Sequence, residues 1–229
     1  MKPHTSKAFE SELERLQQQI LRMGALVEKA IEDAMASLVE RDGERARGVI
    51  ARDHEINRYE VEIDERCIEL LALRQPAATD LRLIITGLKI STDLERIGDL
   101  AVNMSERVLE LVDQPPLKPL IDLPRMADAA RDMVRRSLDA YVQRDAAAAK
   151  AVCESDDVVD RLNDQIFREL LTYMMENPAN ISRALGLILI ARYLERIADH
   201  ATNISEMVIY LVKGKDIRHT HVPEDPRFC

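Results

Sequence analysis

One stretch of this sequence occurs twice, at an offset of 100 residues. Residues 94–106 are LERIGDLAVNMSE and residues 194–206 are LERIADHATNISE. Because each residue of an α-helix turns by about 100°, positions three and four apart share a face. Each copy therefore forms an amphipathic helix with one aliphatic face. The members of these faces are Leu94, Ile97, Ala101, Met104 and Val108, and in the second copy Leu194, Ile197, Ala201, Ile204 and Val208.

The repeat extends beyond these helices and divides the chain into two similar halves. At an offset of 103 residues Asp53 matches Asp156, and after Pro76 and Pro178 the offset falls to 100. Periodic apolar spacing predicts three helices in each half. The predicted helices cover residues 6–40, 44–74, 78–112, 123–143, 145–176 and 179–212. Asp42 is the predicted N-cap of the second helix, because its carboxylate can accept from free backbone N–H groups.

Prolines separate the two halves. Pro115, Pro116 and Pro119 cannot continue a helix, because proline lacks the N–H donor and clashes with the preceding turn. We therefore predict a first three-helix bundle over residues 1–114, a linker over 115–122, a second bundle over 123–214 and a loose tail over 215–229. Whether the bundles are separate domains or one six-helix body stays open at this point.

Composition favours an all-α protein. Aromatic residues make up 3% of the chain and hydrophobic residues 46%, with no Trp and only 7 Gly. The chain is rich in Ala, Leu, Glu and Arg, which are good helix formers, whereas sheets favour aromatic and β-branched residues. The predicted fold class is all-α, with two tandem three-helix bundles.

Charge and cysteine usage exclude several classes of protein. The formal net charge is -9, and nucleic-acid binding normally requires a basic surface. The three cysteines form no CxxC pair, which argues against a disulfide framework and fits a reducing compartment. No run approaches the roughly 20 apolar residues that a membrane span needs, and the N-terminus has no signal core. The chain is predicted to be cytoplasmic, without membrane insertion or nucleic-acid binding.

Each repeated helix also carries a stripe of oxygen-bearing side chains beside its aliphatic face. The first stripe contains Glu95, Asp99, Asn103 and Glu106, and the second contains Glu195, Asp199, Asn203 and Glu206. A Glu and an Asp four residues apart can share one cation, but like charges at that spacing repel without one. A solvated surface is the alternative explanation. An all-oxygen ligand set suits Mg²⁺, Ca²⁺, Mn²⁺ or iron rather than thiolate-bound zinc.

Other polar residues give weaker signals. Glu60 and Asp64 on the second helix, like Asp160 and Asp164 on the fifth, are four apart but fall in different registers of the repeat, which favours surface charge. His200 has Leu100 as its counterpart and is predicted to be a boundary residue rather than a ligand.

No catalytic arrangement is visible. A di-iron oxidase would need paired Glu-x-x-His sequences, and neither repeated helix has one. The chain also lacks a nucleophile–base set and a glycine-rich phosphate loop. We predict that it is not an enzyme. Two alternatives remain: a metal-dependent hydrolase that uses the same carboxylates, and a metal-free helical adaptor.

The paired sequences LERIGDLAVN, residues 94–103, and LERIADHATN, residues 194–203, resemble the PhoU family of phosphate-uptake regulators. The segment PAATDLR at residues 76–82 adds to the resemblance, which spans about residues 9–214. The doublet is specific, whereas a single copy is not. Many family members have Asp-His in both copies, but here the first is Asp99-Leu100, which makes the halves unequal.

The resemblance implies a cytoplasmic, often dimeric protein that negatively regulates the phosphate regulon and so acts indirectly on transcription. Its implied partners are the ATPase subunit of the phosphate ABC transporter and a membrane sensor histidine kinase. It also implies metal ions on the two ExxxD sequences, of unknown identity among iron, Mn, Mg, Ca and Zn. The implied ligands are Glu95, Asp99, Asn103, Glu195, Asp199 and Asn203.

Overall fold

A computed structural model describes residues 7–215, and within that range the chain forms six long helices and no strand. The helices are α1 (Lys7–Glu40), α2 (Gly43–Arg74), α3 (Ala78–Leu111), α4 (Asp122–Gln143), α5 (Ala146–Glu176) and α6 (Ile181–Lys213), with a short 3-10 turn at Pro178–Asn180. The all-α prediction is confirmed, and the predicted limits agree to within two residues. The predicted start at Ser6 and the tail residues 216–229 lie outside the described range.

The first turn of each half is built in the same way. Asp42 Oδ1 accepts from the backbone N–H groups of Glu44 and Arg45, each at 3.0 Å, and so caps α2 as predicted. Its repeat counterpart Asp145 caps α5 through the same pair of positions. Two of the N–H groups that a helix start leaves unpaired are thereby satisfied in both halves.

The predicted aliphatic faces of α3 and α6 form the centre of the protein. All ten residues of these faces are buried, none with more than 1% of its surface exposed. The buried core is continuous from one half to the other. The two predicted three-helix bundles therefore share one continuous apolar core, whose burial from water favours their staying together.

Four helices form the inner part of this body. α1, α3, α6 and α4 contact one another in a ring, while α2 packs on α1 and α3, and α5 on α4 and α6. α3 and α6 run antiparallel: Arg82, near the start of α3, donates to the Leu211 carbonyl near the end of α6, and Asp93 contacts His200. Because α2 packs on α3 and α5 packs on α6, each outer helix lies beside the carboxylate stripe of its own half.

The proline segment between the halves packs against the protein. Leu117 and Leu120 lie against the core, and the Lys118 side chain, 6% exposed, pairs with Glu169 of α5. Within residues 7–215 no helix has the length and apolar character that crossing a membrane requires.

Candidate metal centre

In the first half, α3 supplies the predicted carboxylates. The Glu95 side chain is 19% exposed and that of Asp99 is 44% exposed. Arg96 lies 3.6 Å from Glu95 and 3.9 Å from Asp99, so it compensates both charges only weakly. Burial raises the pKa of Glu95, and the neighbouring Asp99 charge raises it further. The two carboxylates therefore repel each other at a partly buried position, and a bound cation would offset that repulsion.

The outer helix α2 adds two carboxylates to this pair. Burial raises the pKa of Glu60, and the Glu95 charge raises it further. Burial likewise raises the pKa of Asp53, with a further contribution from Asp99, although Asn57 donates to Asp53 Oδ2 at 2.8 Å. Asp53, Glu60, Glu95 and Asp99 thus form one group, which we name the first acidic cluster.

A glycine permits the close approach of α2 to α3 at this cluster. A Cβ atom at Gly98 would lie 3.1 Å from Ile56 Cδ1 and 3.6 Å from Asp53 Oδ1. Gly98 lies directly before Asp99, so the contact that brings the two helices together also brings Asp53 to the carboxylates of α3.

The second half repeats the arrangement. Burial raises the pKa of Asp156 on α5 to about 6, and the charges of Asp160, Asp199 and Glu195 add to this effect. Glu195, 15% exposed, accepts from Arg192 Nη1 at 2.6 Å, and its pKa is nevertheless raised by burial. Asp199 lies at the solvent edge, where partial desolvation and Asp160 raise its pKa. Asp156, Asp160, Glu195 and Asp199 form the second acidic cluster.

Three buried carboxylate oxygens in these clusters have no hydrogen-bond partner among residues 7–215: Asp53 Oδ1, Asp156 Oδ1 and Glu195 Oε2. A buried polar atom without a partner is costly, and a cation would satisfy it. The residues therefore fit a hard cation. Within residues 7–215 no three acidic, histidine or cysteine side chains are already arranged to hold a metal ion, so binding requires some of these side chains to rotate.

The two asparagines of the predicted stripes behave differently. Asn203 Nδ2 donates to Asp93 Oδ1 of α3 at 3.5 Å, which directs its side chain across to the other half. Asn103 is partly buried beside the first stripe. His200 Nδ1 also donates to Asp93 Oδ1, at 2.8 Å. His200 is thus a boundary residue as predicted, and its partner belongs to the opposite half.

The structure adds residues that sequence reasoning missed. Asp160 and Asp164 are exposed on α5, in agreement with the predicted surface charge, and Asp164 pairs with Arg168. The Asp160 charge nevertheless raises the pKa values of Glu195 and Asp199. Glu60 on α2 is partly buried, and its own pKa is raised by burial and by the Glu95 charge. Asp53 and Asp156 were not predicted as site residues. The repeat could have identified them, because α2 and α5 carry matching polar stripes at the offset of 103. These stripes are Asp53, Asn57 and Glu60 on α2, and Asp156, Asp160 and Asn163 on α5.

Comparison with known proteins gives consistent similarities. A family model described as the PhoU domain matches residues 20–108 and again residues 123–208. The phosphate-specific transport system accessory protein PhoU homolog of Pseudomonas putida is 47% identical over 217 residues, which covers 94% of this chain and 85% of that protein. The corresponding homolog of Aquifex aeolicus is 45% identical over 213 residues, covering 93% and 96%.

Solved structures agree with this result. The crystal structure of PhoU from Pseudomonas aeruginosa superposes with a TM-score of 0.87 at 45% identity, covering 90% of this chain and all of that one. The phosphate transport system regulatory protein PhoU from Streptococcus pneumoniae gives a TM-score of 0.85 at 30% identity, covering 91% and 98%. The similarity includes both halves of the fold.

Proposed function

The chain belongs to the PhoU domain family, and from that premise we propose that it is an accessory protein of a phosphate transport system that negatively regulates phosphate uptake and phosphate-regulon signalling. One observation carries the proposal. The similarity to relatives named as phosphate-specific transport system accessory proteins extends along nearly the whole chain and through both repeats. A shared name based on one half alone would carry much less weight.

The proposed mechanism is contact with other proteins in the cytoplasm. The ATPase subunit of the phosphate ABC transporter and a sensor histidine kinase are the proposed partners, and the protein acts as a homodimer. When phosphate is plentiful the protein holds the kinase in its repressing state, so its effect on transcription is indirect. A long helical body with two similar halves supports this proposal, because it offers separate surfaces for two partners.

Metal binding is the second part of the proposal. Asp53, Glu60, Glu95 and Asp99 would hold a cation in the first half, and Asp156, Asp160, Glu195 and Asp199 in the second. Bound cations supply positive charge that offsets carboxylate repulsion. Because each cluster draws on an outer and an inner helix, its carboxylates bind best when α2 is held against α3 and α5 against α6. Iron, Mn, Mg and Ca suit this oxygen set better than Zn.

The regulatory role is tested in a bacterium that lacks its own PhoU-family gene and carries a phosphate-regulon reporter. Expression of this chain at plentiful phosphate should restore repression, and capture of the purified chain should recover the transporter's ATPase subunit. Stable expression without restored repression and without capture would refute the regulatory role.

Metal content is tested by elemental analysis of the purified parent and of Glu95→Ala/Asp99→Ala and Glu195→Ala/Asp199→Ala variants. We expect each double variant to lose the metal of one half. Asp128→Ala/Asp132→Ala is the matched control, because these α4 residues have the same spacing and lie outside both clusters, where arginines pair with them. Equal metal content in all four proteins contradicts the site assignment.

The alternatives predict other results. A metal-free adaptor would contain no metal after metal-replete purification, and its partner binding would weaken with salt. A hydrolase would turn over phosphoesters in the metal-loaded state and lose that activity in Asp99→Ala. That the chain is not an enzyme stays a prediction, and a phosphoester screen with this variant tests it.

A further inference from the structure

A pocket of about 240 Å³ lies where the chain leaves α3 and crosses to α4. It is bounded by the ends of α1 and α3, the start of α6 and the proline segment. Its apolar lining comes from five leucines, three prolines and one valine. The remaining lining residues are Arg41, Lys118 and Arg183, and no acidic side chain among the described residues lines it. An all-cationic rim is unusual in a chain with a net charge of -9.

Two of these cations lack a carboxylate partner in the part of the chain that the structure describes. Lys118 pairs with Glu169, but Arg41 and Arg183 form no ion pair with any residue in the described range 7–215. Arg41 Nη2 donates to the carbonyls of Val112 and Gln114, which follow α3. A guanidinium has five N–H donors, and most of those on Arg41 stay available.

Arg183 is placed similarly. It donates to the Pro115 carbonyl at 3.0 Å and to Asn180 Oδ1 at 2.6 Å. Pairing with carbonyls at the end of a helix is a structural role, and Arg82 plays the same role with Leu211 at the end of α6. That role explains the position of the guanidinium groups. It does not explain why an apolar cavity lies beside two positive charges that no carboxylate in residues 7–215 compensates.

The lining and the charge together define a ligand class. A cavity of about 150 Å³ holds a benzene molecule, so this one has room for a short alkyl chain. Guanidinium groups bind carboxylates through paired, charge-assisted hydrogen bonds. We propose that the pocket binds a small anionic amphiphile, a medium-chain carboxylate whose alkyl group fills the leucine- and proline-lined cavity and whose carboxylate accepts from Arg41 and Arg183.

Such a ligand would join parts of the protein that are distant in sequence. The pocket takes residues from α1 and α3 of the first half, from the proline segment, and from α6 of the second half. Ligand binding therefore stabilises the contact between the two halves. This site is separate from both acidic clusters, so it does not depend on metal binding.

The test is calorimetric titration of the full-length protein with octanoate. Octan-1-ol, which lacks the charge, and acetate, which lacks the chain, are the companion probes. We expect octanoate to bind and both companions to bind at least about tenfold more weakly, since each loses one of the two recognised features. Acetate binding as tightly as octanoate would reduce the site to a surface anion contact and overturn the proposal.

Arginines in similar structural positions supply matched variants. Arg183→Gln should weaken octanoate binding about tenfold, because it removes a charge-assisted hydrogen bond. Arg82→Gln, the equivalent change at the other end of the α3–α6 pair, should leave binding unchanged. Arg41→Gln should likewise weaken octanoate binding, because Arg41 lines the pocket. Its repeat counterpart Arg144 lies outside the pocket, so Arg144→Gln should leave binding unchanged.

A third variant closes the pocket without changing charge. Val39 lines the pocket and is 49% exposed, so Val39→Trp can fill the cavity without disturbing the core. We expect it to abolish octanoate binding while the melting temperature of the unliganded protein stays near that of the parent. Undiminished binding in Val39→Trp, equal weakening by the Arg82 and Arg183 changes, or no octanoate binding to the parent would each overturn the proposal.

Discussion

His200 Nδ1 of α6 donates a hydrogen bond of 2.8 Å to Asp93 Oδ1 of α3, and this contact joins the two halves of the protein. Both side chains are largely buried, at 19% and 18% exposure. The repeat does not reproduce the contact, because the counterparts of Asp93 and His200 are Tyr193 and Leu100. This polar contact between the halves therefore lies on one side only of an otherwise repeated helix pair.

Replacing this histidine should weaken the interface. His200→Leu copies the residue of the other half, and among the described residues it leaves Asp93 with only the 3.5 Å contact from Asn203. We expect the free energy of unfolding to fall by about 1–2 kcal/mol, measured by urea denaturation. The control is a double-mutant cycle with Asp93→Asn, which should show a coupling of at least about 0.5 kcal/mol. Strictly additive effects would mean that the hydrogen bond contributes nothing.

Asp156→Asn should stabilise the metal-free protein at neutral pH. Burial raises the pKa of Asp156 from 3.8 to about 6. The folded state then binds this proton more tightly than the unfolded state, so the parent loses stability as pH rises from about 4 to 6. The Asn variant avoids this loss. We expect a gain of about 1 kcal/mol at pH 7, after allowance for solvent screening at a half-buried site, and no gain at pH 4.

That experiment requires denaturation curves at both pH values in the presence of a chelator. Asp164→Asn is the control, because the side chain of Asp164 is 73% exposed on the same helix and should show no comparable pH-dependent gain. A gain of equal size at both pH values would assign the effect to something other than the ionisation of Asp156.

Two glycine substitutions should change stability in opposite directions. A Cβ at Gly24 would lie 2.2 Å from Leu138 Cδ1, where α1 contacts α4, whereas a Cβ at Gly48 meets nothing closer than 4.0 Å. Gly24→Ala forces a buried leucine to move and should cost about 1–3 kcal/mol. Gly48→Ala should gain up to about 1 kcal/mol from helix propensity. Thermal melts of both variants check this, and stabilisation by Gly24→Ala contradicts the close α1–α4 contact.

Removing the Tyr141 hydroxyl should not destabilise the protein. The side chain is fully buried and its oxygen has no hydrogen-bond partner among the described residues. Tyr141→Phe should therefore be neutral or add up to about 1 kcal/mol to the free energy of unfolding. Tyr141→Leu, which opens a cavity, should cost about 1–3 kcal/mol. Guanidinium denaturation distinguishes the two, and a large loss in the Phe variant would reveal a partner for the hydroxyl.

The sequence by itself determined the helices and the duplicated layout. Helix periodicity is local, so the aliphatic faces of α3 and α6 could be identified from spacing alone, and all their members are buried. Asp42 was likewise predictable as a cap, because a capping side chain bonds to N–H groups only two and three residues ahead. The carboxylate pairs Glu95/Asp99 and Glu195/Asp199 were visible for the same reason.

Only the tertiary structure decided which other groups join those pairs. Asp53 and Asp156 meet the carboxylates of another helix because α2 packs on α3 and α5 on α6. His200 finds Asp93, 107 residues away, because α3 and α6 run antiparallel through a shared core. Spacing within a helix fixes a face, but it does not fix which face of a distant helix comes to lie opposite. That choice depends on how the complete set of apolar faces is buried together.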